Sequence, residues 1–369
     1  MKYLLTALTG ALAFASPSYA NPTFILNDIG GVGAGTPARA AFVAAAGLWA
    51  SAFSNTVTIR LDVGFQSIVG ILGETGSNGS DVAYGTVRSA LAARAGSAVD
   101  KSAVASLAPT LAFVSNIASN GTSGATTRVL ENNQLNYDTQ FLSVNTAEQK
   151  ALGLATDNAA SDGTIIFSSY YKWTFSDLGK IAAGTYDLVG IAAHEIGHAL
   201  GFESGVDLGD EYAKYGASGL QNVGWGTPLD LFRYQNGQRD WTAAGTPCLS
   251  PDGGQSCGAD FATGVNLGDH YQASHWKNGL HLGIMNPSAS AGHALKISSN
   301  DLEAFDLIGW NLAQGGDTGN AVQWAATNTG PKPTYTLHAE AAHVPEPENL
   351  TLLAIVVAGL ALGGRHRQG

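Results

Sequence analysis

The chain has few charged residues, and positive charge is scarcer than negative charge. Of its 369 residues 13% are charged, with 18 Lys and Arg against 29 Asp and Glu, so that the formal net charge is −11. No basic stripe is present that could follow a phosphate backbone. The composition therefore argues against nucleic acid as a partner.

Cysteine is rare as well. Cys248 and Cys257 are the only two, and they lie close together in a Pro/Gly-rich stretch. Their spacing is not that of a CxxC metal site. In an oxidising compartment the pair is expected to form a disulfide that closes a small loop.

The apolar runs at the two chain ends are shorter than the roughly 20 residues that span a bilayer. At the N-terminus, Lys2 precedes an apolar stretch over residues 4–15, and Ser18-Tyr19-Ala20 offers a small-x-small cleavage site. This order is typical of a secretory signal peptide, here residues 1–20, that is removed on export. The alternative is a retained anchor, which the short run disfavours. The sequence thus predicts an exported protein of the cell envelope or the extracellular space.

His194-Glu195-Ile196-Gly197-His198 is the strongest chemical signal in the chain. A helix repeats every 3.6 residues and so carries both imidazoles on one face. That arrangement suits two ligands of one zinc ion, with Glu195 beside them to handle a proton. The apolar residues around the motif are periodic, and they predict a helix that begins near Thr185 or Asp187, whose side chains can cap free N–H groups. Gly201 is expected to end this helix in the left-handed conformation.

A catalytic zinc takes three protein ligands and keeps one position open, so a third ligand is needed. Gly201 is followed by Phe202-Glu203-Ser204, and serine is a poor zinc ligand. The candidates are Glu203, Asp207, Asp210 or a distant histidine. For the two aspartates, loop capping is the alternative role.

A histidine and a methionine stand together far downstream. Ser274-His275-Trp276 precedes the segment Gly283-Ile284-Met285-Asn286-Pro287, and Met285 is the only methionine besides the initiator. The order His-Glu-x-x-His-Ala-Leu-Gly-Phe, a long insert, Ser-His-Trp and then Met resembles leishmanolysin-type metzincins. The resemblance implies that His194, His198 and His275 bind Zn²⁺, that Glu195 is the catalytic carboxylate, and that Met285 forms a turn beneath the metal. Core packing is the alternative role of Met285.

Other residues remain as weaker candidates. His270 and His281 flank the His275 segment and can serve as hydrogen-bond partners of the ligands or as substrate contacts, with a surface position as the alternative. His293 is a weaker ligand candidate. Tyr170, Tyr171 and His281 are candidates for stabilising an oxyanion, and no spacing selects among them.

The coarse order of elements predicts an α+β fold. An Ala-rich helical pattern runs from Pro37 to about Phe53, an alternating strand covers residues 56–63, and further helices cover residues 86–95 and 297–310. Residues 163–169 form a short strand that is either an exposed sheet edge for an extended peptide or a plain core strand. The expected architecture is metzincin-like, with an upper lobe of mixed sheet plus active-site helix and an irregular lower lobe ending in a helix.

The C-terminal tail combines a Pro-Glu-Pro element, an apolar run and a basic end. Val344-Pro345-Glu346-Pro347 is followed by an apolar run over residues 350–362 and then by a basic end, Arg365-His366-Arg367. This order resembles the PEP-CTERM sorting signal, which an exosortase recognises in Gram-negative bacteria. The resemblance implies an exosortase-type sorting enzyme as partner and transient membrane contact through the tail. A buried C-terminal helix is the alternative, and the polar linker before it disfavours that structure.

These features divide the chain into four parts: a signal peptide (1–20), a two-lobed metalloprotease catalytic domain (21–311), a polar linker (312–343) and a sorting segment (344–369). The expected function is that of a secreted zinc endopeptidase acting on protein or peptide substrates, with Glu195 as general base. The alternative is a non-catalytic, zinc-containing cell-surface or biofilm-matrix protein.

Overall fold

The computed structural model describes residues 21–119, 126–133, 136–176, 180–215, 224–313 and 342–343. The predicted signal peptide, the predicted sorting segment and most of the predicted linker lie outside these residues. Within the described ranges, none of the helices combines the length and the apolar content that crossing a bilayer requires.

The described residues form a mixture of helices and small sheets, which confirms the α+β class. The α-helices are α1 (Pro37–Ala52), α2 (Tyr84–Arg94), α3 (Ala98–Ser106), α4 (Thr146–Leu152), α5 (Leu188–Ala199), α6 (Val206–Lys214) and α7 (Ser299–Leu307), and a 3-10 helix covers Leu229–Phe232. The strands are β1 (Thr23–Gly30), β2 (Thr58–Gln66), β3 (Gly73–Ser77), β4 (Gly79–Ala83), β5 (Phe113–Ala118), β6 (Thr126–Glu131), β7 (Phe141–Asn145), β8 (Gly163–Ser168), β9 (Trp173–Thr174), β10 (Tyr186–Asp187), β11 (Arg233–Gln235), β12 (Gln238–Arg239), β13 (Cys248–Leu249), β14 (Ser288–Ala289) and β15 (Ala342–His343).

The largest sheet has four strands in the order β1-β2-β8-β3. β1, β2 and β8 are parallel, whereas β3 runs antiparallel to β8 at the edge of the sheet. The strand predicted over residues 163–169 is thus the interior strand β8, and its alternative role as an exposed edge is wrong. β3, whose residues carry no strand signal, occupies the edge instead.

Helix α1 agrees with its sequence pattern. Thr36 accepts a hydrogen bond from the N–H of Arg39, Pro37 occupies the first turn, and Phe53 is the C-cap. The apolar face of the helix is buried. On that face the Trp49 indole N–H donates to the carbonyl of Ala193 at 2.8 Å, which ties α1 to α5.

Helix α5 is buried along its whole length and carries the His-Glu-x-x-His motif. It ends at Leu200, and Gly201 follows with φ = 116°, so the predicted left-handed glycine is confirmed. Asp187 occupies the N-cap position, but its carboxylate accepts from the N–H of Leu295 at 3.0 Å and makes no capping bond. The predicted side-chain cap is therefore wrong at Asp187.

The other predicted strand and helices and the predicted disulfide are present in the structure. The strand at 56–63 and the helices at 86–95 and 297–310 are present as β2, α2 and α7, with ends shifted by a few residues. The disulfide between Cys248 and Cys257 is confirmed. Leu312, at the predicted start of the linker, forms a bridge to Phe53.

A buried ion pair fastens α4 to the large sheet. The Lys150 ammonium donates to Asp162 Oδ2 at 2.7 Å and to the carbonyl of Thr58 at 3.0 Å, and both charged side chains are almost completely buried. Removing one partner of such a pair leaves a buried charge without compensation.

We expect Lys150→Met to lower the free energy of unfolding by about 3–5 kcal/mol. Urea denaturation of this variant and of Lys101→Met, which removes an exposed lysine, measures the difference. Equal stability of the two variants would contradict a stabilising role of the pair.

Candidate metal centre

Three histidines meet in the interior of the protein. His194 and His198 lie one turn apart on α5, and His275 comes from the loop between β13 and β14. Their exposed fractions are 4%, 3% and 1%. Among the residues that the structure describes, they form the one group of three or more His, Cys, Asp or Glu side chains that can hold a metal ion.

The spacing of the three imidazoles fits a metal ion. The Nε2 atoms of His194 and His198 are 3.1 Å apart, and each lies 3.3 Å from Nε2 of His275. Two metal–nitrogen bonds of about 2.0–2.1 Å at the tetrahedral angle place their nitrogens about 3.3–3.4 Å apart. The three atoms thus have the separation that one tetrahedral ion requires.

Backbone carbonyls orient all three rings. Nδ1 of His194 lies 2.7 Å from the carbonyl oxygen of Ile284, and Nδ1 of His198 lies 2.8 Å from that of Phe202. Nδ1 of His275 faces the carbonyl of Gln272 at 3.3 Å. A carbonyl can only accept, so each Nδ1 donates its proton and each Nε2 presents a lone pair to the shared point. Three converging lone pairs repel one another, and a cation at the shared point relieves this repulsion.

Glu195 lies beside the cluster and is fully buried. Its Oε2 accepts a hydrogen bond from the Thr75 hydroxyl at 2.7 Å. Thr75 belongs to the edge strand β3, and Gly73 of the same strand also faces the carboxylate: a Cβ atom at Gly73 would lie 2.8 Å from Glu195 Oε1. No sequence motif points to Gly73 or Thr75.

Met285 packs under α5. A Cβ atom at Gly197, between the two ligands of the helix, would lie 2.5 Å from its sulfur. The Met285 carbonyl accepts from the N–H of Trp276 at 2.9 Å, and the carbonyl of the preceding Ile284 is the partner of His194. The turn at Met285 therefore contacts both the helix that carries His194 and His198 and the segment that carries His275.

Aromatic packing holds the segment that carries His275. Trp276 is fully buried, stacks on Phe261 with ring centroids 5.0 Å apart, and meets Phe202 edge-on at 4.9 Å. Phe202 directly follows the glycine that ends the α5 helix. The tryptophan of the Ser-His-Trp segment thus fixes His275 against the end of the helix that carries His194 and His198.

Asp301 of α7 connects the segments that carry Trp276 and Ile284. Oδ1 accepts from the indole of Trp276 at 2.7 Å, and Oδ2 accepts from the N–H of Ile284 at 2.8 Å and of Ser298 at 2.6 Å. Burial raises the pKa of Asp301, and these donors oppose the rise. A Cβ atom at Gly283 would lie 2.2 Å from Oδ2, so glycine is required for this approach.

We expect Asp301→Asn to weaken the binding of Zn²⁺, used as the probe metal, about 10–100-fold. An amide NH₂ must then face N–H donors, and both Ile284, the hydrogen-bond partner of His194, and Trp276, the neighbour of His275, lose their anchor. The same change should lower the free energy of unfolding by about 1–3 kcal/mol. Competition with a zinc chelator measures the affinity. Glu303→Gln, a partly exposed site on the same helix, is the control, and equal zinc affinity of the two variants would contradict the role of Asp301.

The alternative carboxylate ligands have other partners. Glu203 accepts from the Ser77 hydroxyl at 2.6 Å, and Asp210 accepts from the Asn116 amide at 2.8 Å. Asp207 accepts from the N–H groups of Val265 at 2.7 Å and Ala273 at 2.6 Å, and so holds the loop that leads to His275. Burial raises the pKa of Asp207 to about 6 and that of Asp210 to about 7.

The weaker histidine candidates do not belong to the group formed by His194, His198 and His275. His270 and His281 are exposed and adopt positive φ angles of 70° and 52°. His293 is half-buried. Tyr170 is exposed, and the Tyr171 ring packs edge-on against Tyr186 with centroids 5.4 Å apart. These positions do not single out a residue for oxyanion stabilisation.

Comparisons with protein-family models, with curated proteins and with solved structures find no match to this chain.

Proposed function

We propose that the chain is an exported zinc endopeptidase with a metzincin-like, two-lobed catalytic domain of the leishmanolysin type. One observation carries the proposal: three Nε2 atoms converge at 3.1–3.3 Å while Glu195 lies on the same helix as two of them. A site that only needs a metal for structure has no use for a carboxylate at that place.

The residues have distinct roles in the proposed reaction. His194, His198 and His275 would hold the zinc ion. When bound, zinc supplies Lewis acidity that lowers the pKa of water towards ~7 and polarises the scissile carbonyl. Glu195 accepts a proton from the attacking water and delivers it to the leaving amine. The nitrogen of the peptide bond leaves as an amine, and no covalent bond to the protein forms.

The edge strand supports a peptide as the substrate. β3 ends the four-stranded sheet, and its residues Gly73 and Thr75 contact Glu195. An extended peptide can add to such an edge through main-chain hydrogen bonds. A substrate bound in this way would pass directly beside the proposed general base.

Export and sorting complete the proposal. The disulfide between Cys248 and Cys257 is consistent with an oxidising compartment. The N-terminal and C-terminal segments would direct the protein through the membrane to the cell envelope or beyond, with an exosortase-type enzyme acting on the tail.

Metal exchange tests the function. We expect a chelator to abolish cleavage of casein by the purified chain, and about one equivalent of Zn²⁺ per chain to restore it. Fluorescence of labelled casein measures the rate, and elemental analysis of the same samples measures zinc. Full zinc occupancy without cleavage would instead indicate the non-catalytic zinc-containing surface protein.

A further inference from the structure

We propose that Thr75 is a positioning residue for Glu195, so that the strand offering the edge for substrate also sets the direction of the general base. This inference rests on the proposed peptidase function and extends it to a residue outside the His-Glu-x-x-His helix.

The Thr75 hydroxyl reaches two oxygen atoms of a single residue. Its Oγ1 lies 2.7 Å from the Oε2 atom of Glu195 and 3.0 Å from the backbone carbonyl oxygen of Glu195. A hydrogen bond to a carboxylate is stronger than one to a neutral carbonyl, so the proton points mainly to Oε2. The hydroxyl therefore links the tip of the Glu195 side chain to its own backbone and fixes the rotamer.

The alternation of β3 places this contact on one face. Successive side chains of a strand point to opposite faces, so Gly73, Thr75 and Ser77 share a face. All three meet carboxylates: Gly73 and Thr75 meet Glu195, and Ser77 donates to Glu203. Gly73 leaves the space that the carboxylate occupies, and Thr75 supplies the hydrogen bond that holds it there.

The hydrogen bond between Thr75 and Glu195 lies in a largely buried environment. Glu195 is fully buried and Thr75 is partly buried. A glutamate side chain has several rotatable bonds, and one held rotamer removes the conformations in which it would point away from the ligand cluster. Loss of the hydroxyl should therefore affect how often Glu195 is aligned for proton transfer, and leave the metal ligands in place.

Three variants test the role in kinetics. We expect Thr75→Val, which keeps the shape and removes the hydroxyl, to lower kcat about 10–100-fold, the range for a hydrogen bond to a charged group, with KM and zinc content unchanged. Thr75→Ser should restore kcat to within about threefold of the wild type. Thr146→Val is the matched control, because its hydroxyl donates to the carbonyl of Asn78 away from the site, and its kcat should equal that of the wild type. A wild-type kcat in Thr75→Val, or no rescue by serine, would overturn the proposal.

A second readout does not depend on activity. In a double-mutant cycle, the melting-temperature shifts of Thr75→Val and Glu195→Ala should be non-additive, because each removes the same hydrogen bond. The shifts of Thr146→Val and Glu195→Ala should add. Additive shifts for Thr75 and Glu195 would show that the two side chains do not interact and would refute the inference. If the zinc-loaded wild type cleaves no peptide, the proposed function fails, and the cycle still decides whether Thr75 holds Glu195.

Discussion

Replacing Glu195 by glutamine should lower kcat for peptide cleavage about 10²–10⁴-fold and leave zinc bound. The amide has nearly the shape of the carboxylate and can still accept from the Thr75 hydroxyl, which lies 2.7 Å from Oε2. It cannot accept a proton from water at neutral pH. Zinc should stay because the three ligand atoms belong to His194, His198 and His275. Steady-state kinetics on a fluorogenic peptide and elemental analysis of the same sample measure the two quantities.

Glu203→Gln provides the control for this experiment. Glu203 follows the same helix, and its carboxylate accepts from Ser77. The same chemical change at this position should leave kcat within about twofold of the wild type, since surface and structural carboxylates take no part in proton transfer. Comparable losses of kcat in Glu195→Gln and Glu203→Gln would indicate that the loss at Glu195 comes from disturbed folding and not from a missing general base.

Replacing His275 by alanine should abolish stoichiometric zinc binding. Losing a residue that only hydrogen-bonds to a metal ligand weakens metal affinity about 10–100-fold, and the loss of His275 itself should have a much larger effect. His275 supplies one of three nitrogens at 3.1–3.3 Å spacing, and its ring is 1% exposed, so no neighbouring side chain replaces it without rearrangement. His270→Ala is the matched control, because His270 is an exposed histidine of the same loop. Dialysis against a zinc buffer followed by elemental analysis measures both variants.

The two outcomes of this comparison separate the possible third ligands. One zinc per chain in His270→Ala and none in His275→Ala is expected. Full zinc content in His275→Ala would instead indicate that Glu203, Asp207 or Asp210 is the third ligand. In the structure Glu203 accepts from Ser77, Asp207 accepts from two backbone N–H groups, and Asp210 accepts from Asn116.

Local sequence patterns predicted the central helix well. The periodic apolar residues and Gly201 gave the position of α5 and its left-handed end, because both depend on interactions within one turn of helix. The side-chain cap at Asp187 was predicted by the same local reasoning and is wrong. The carboxylate of Asp187 accepts from the N–H of Leu295, which is far away in the sequence, and a local pattern cannot indicate such a partner.

The position of His275 beside His194 and His198 required information beyond spacing. His275 is 77 positions from His198, and no helical or strand periodicity connects residues so far apart. The resemblance to leishmanolysin-type metzincins suggested the pairing, and the structure places the three rings together. The carboxylate of Asp301 was missed for the same reason: it caps its own helix locally while its other bonds reach Trp276 and Ile284.

The edge strand escaped prediction because of its composition. Its five residues, GETGS, include two glycines and no β-branched apolar residue, whereas strand signals depend on alternating or continuous apolar residues. Strand β8 carried a clear apolar run, and the sequence left open whether it was an edge or a core strand. Pairing with both β2 and β3 decides that β8 is in the core.

We propose that three buried histidines and Glu195 form a zinc centre that hydrolyses peptide bonds. Mass spectrometry of a peptide mixture after incubation with the zinc-loaded chain tests it most directly, with zinc-loaded Glu195→Gln in parallel. We expect new peptide termini with the wild type and, over the same time, almost none with the variant. Equal cleavage by both proteins, or none by a wild type with full zinc content, would contradict it.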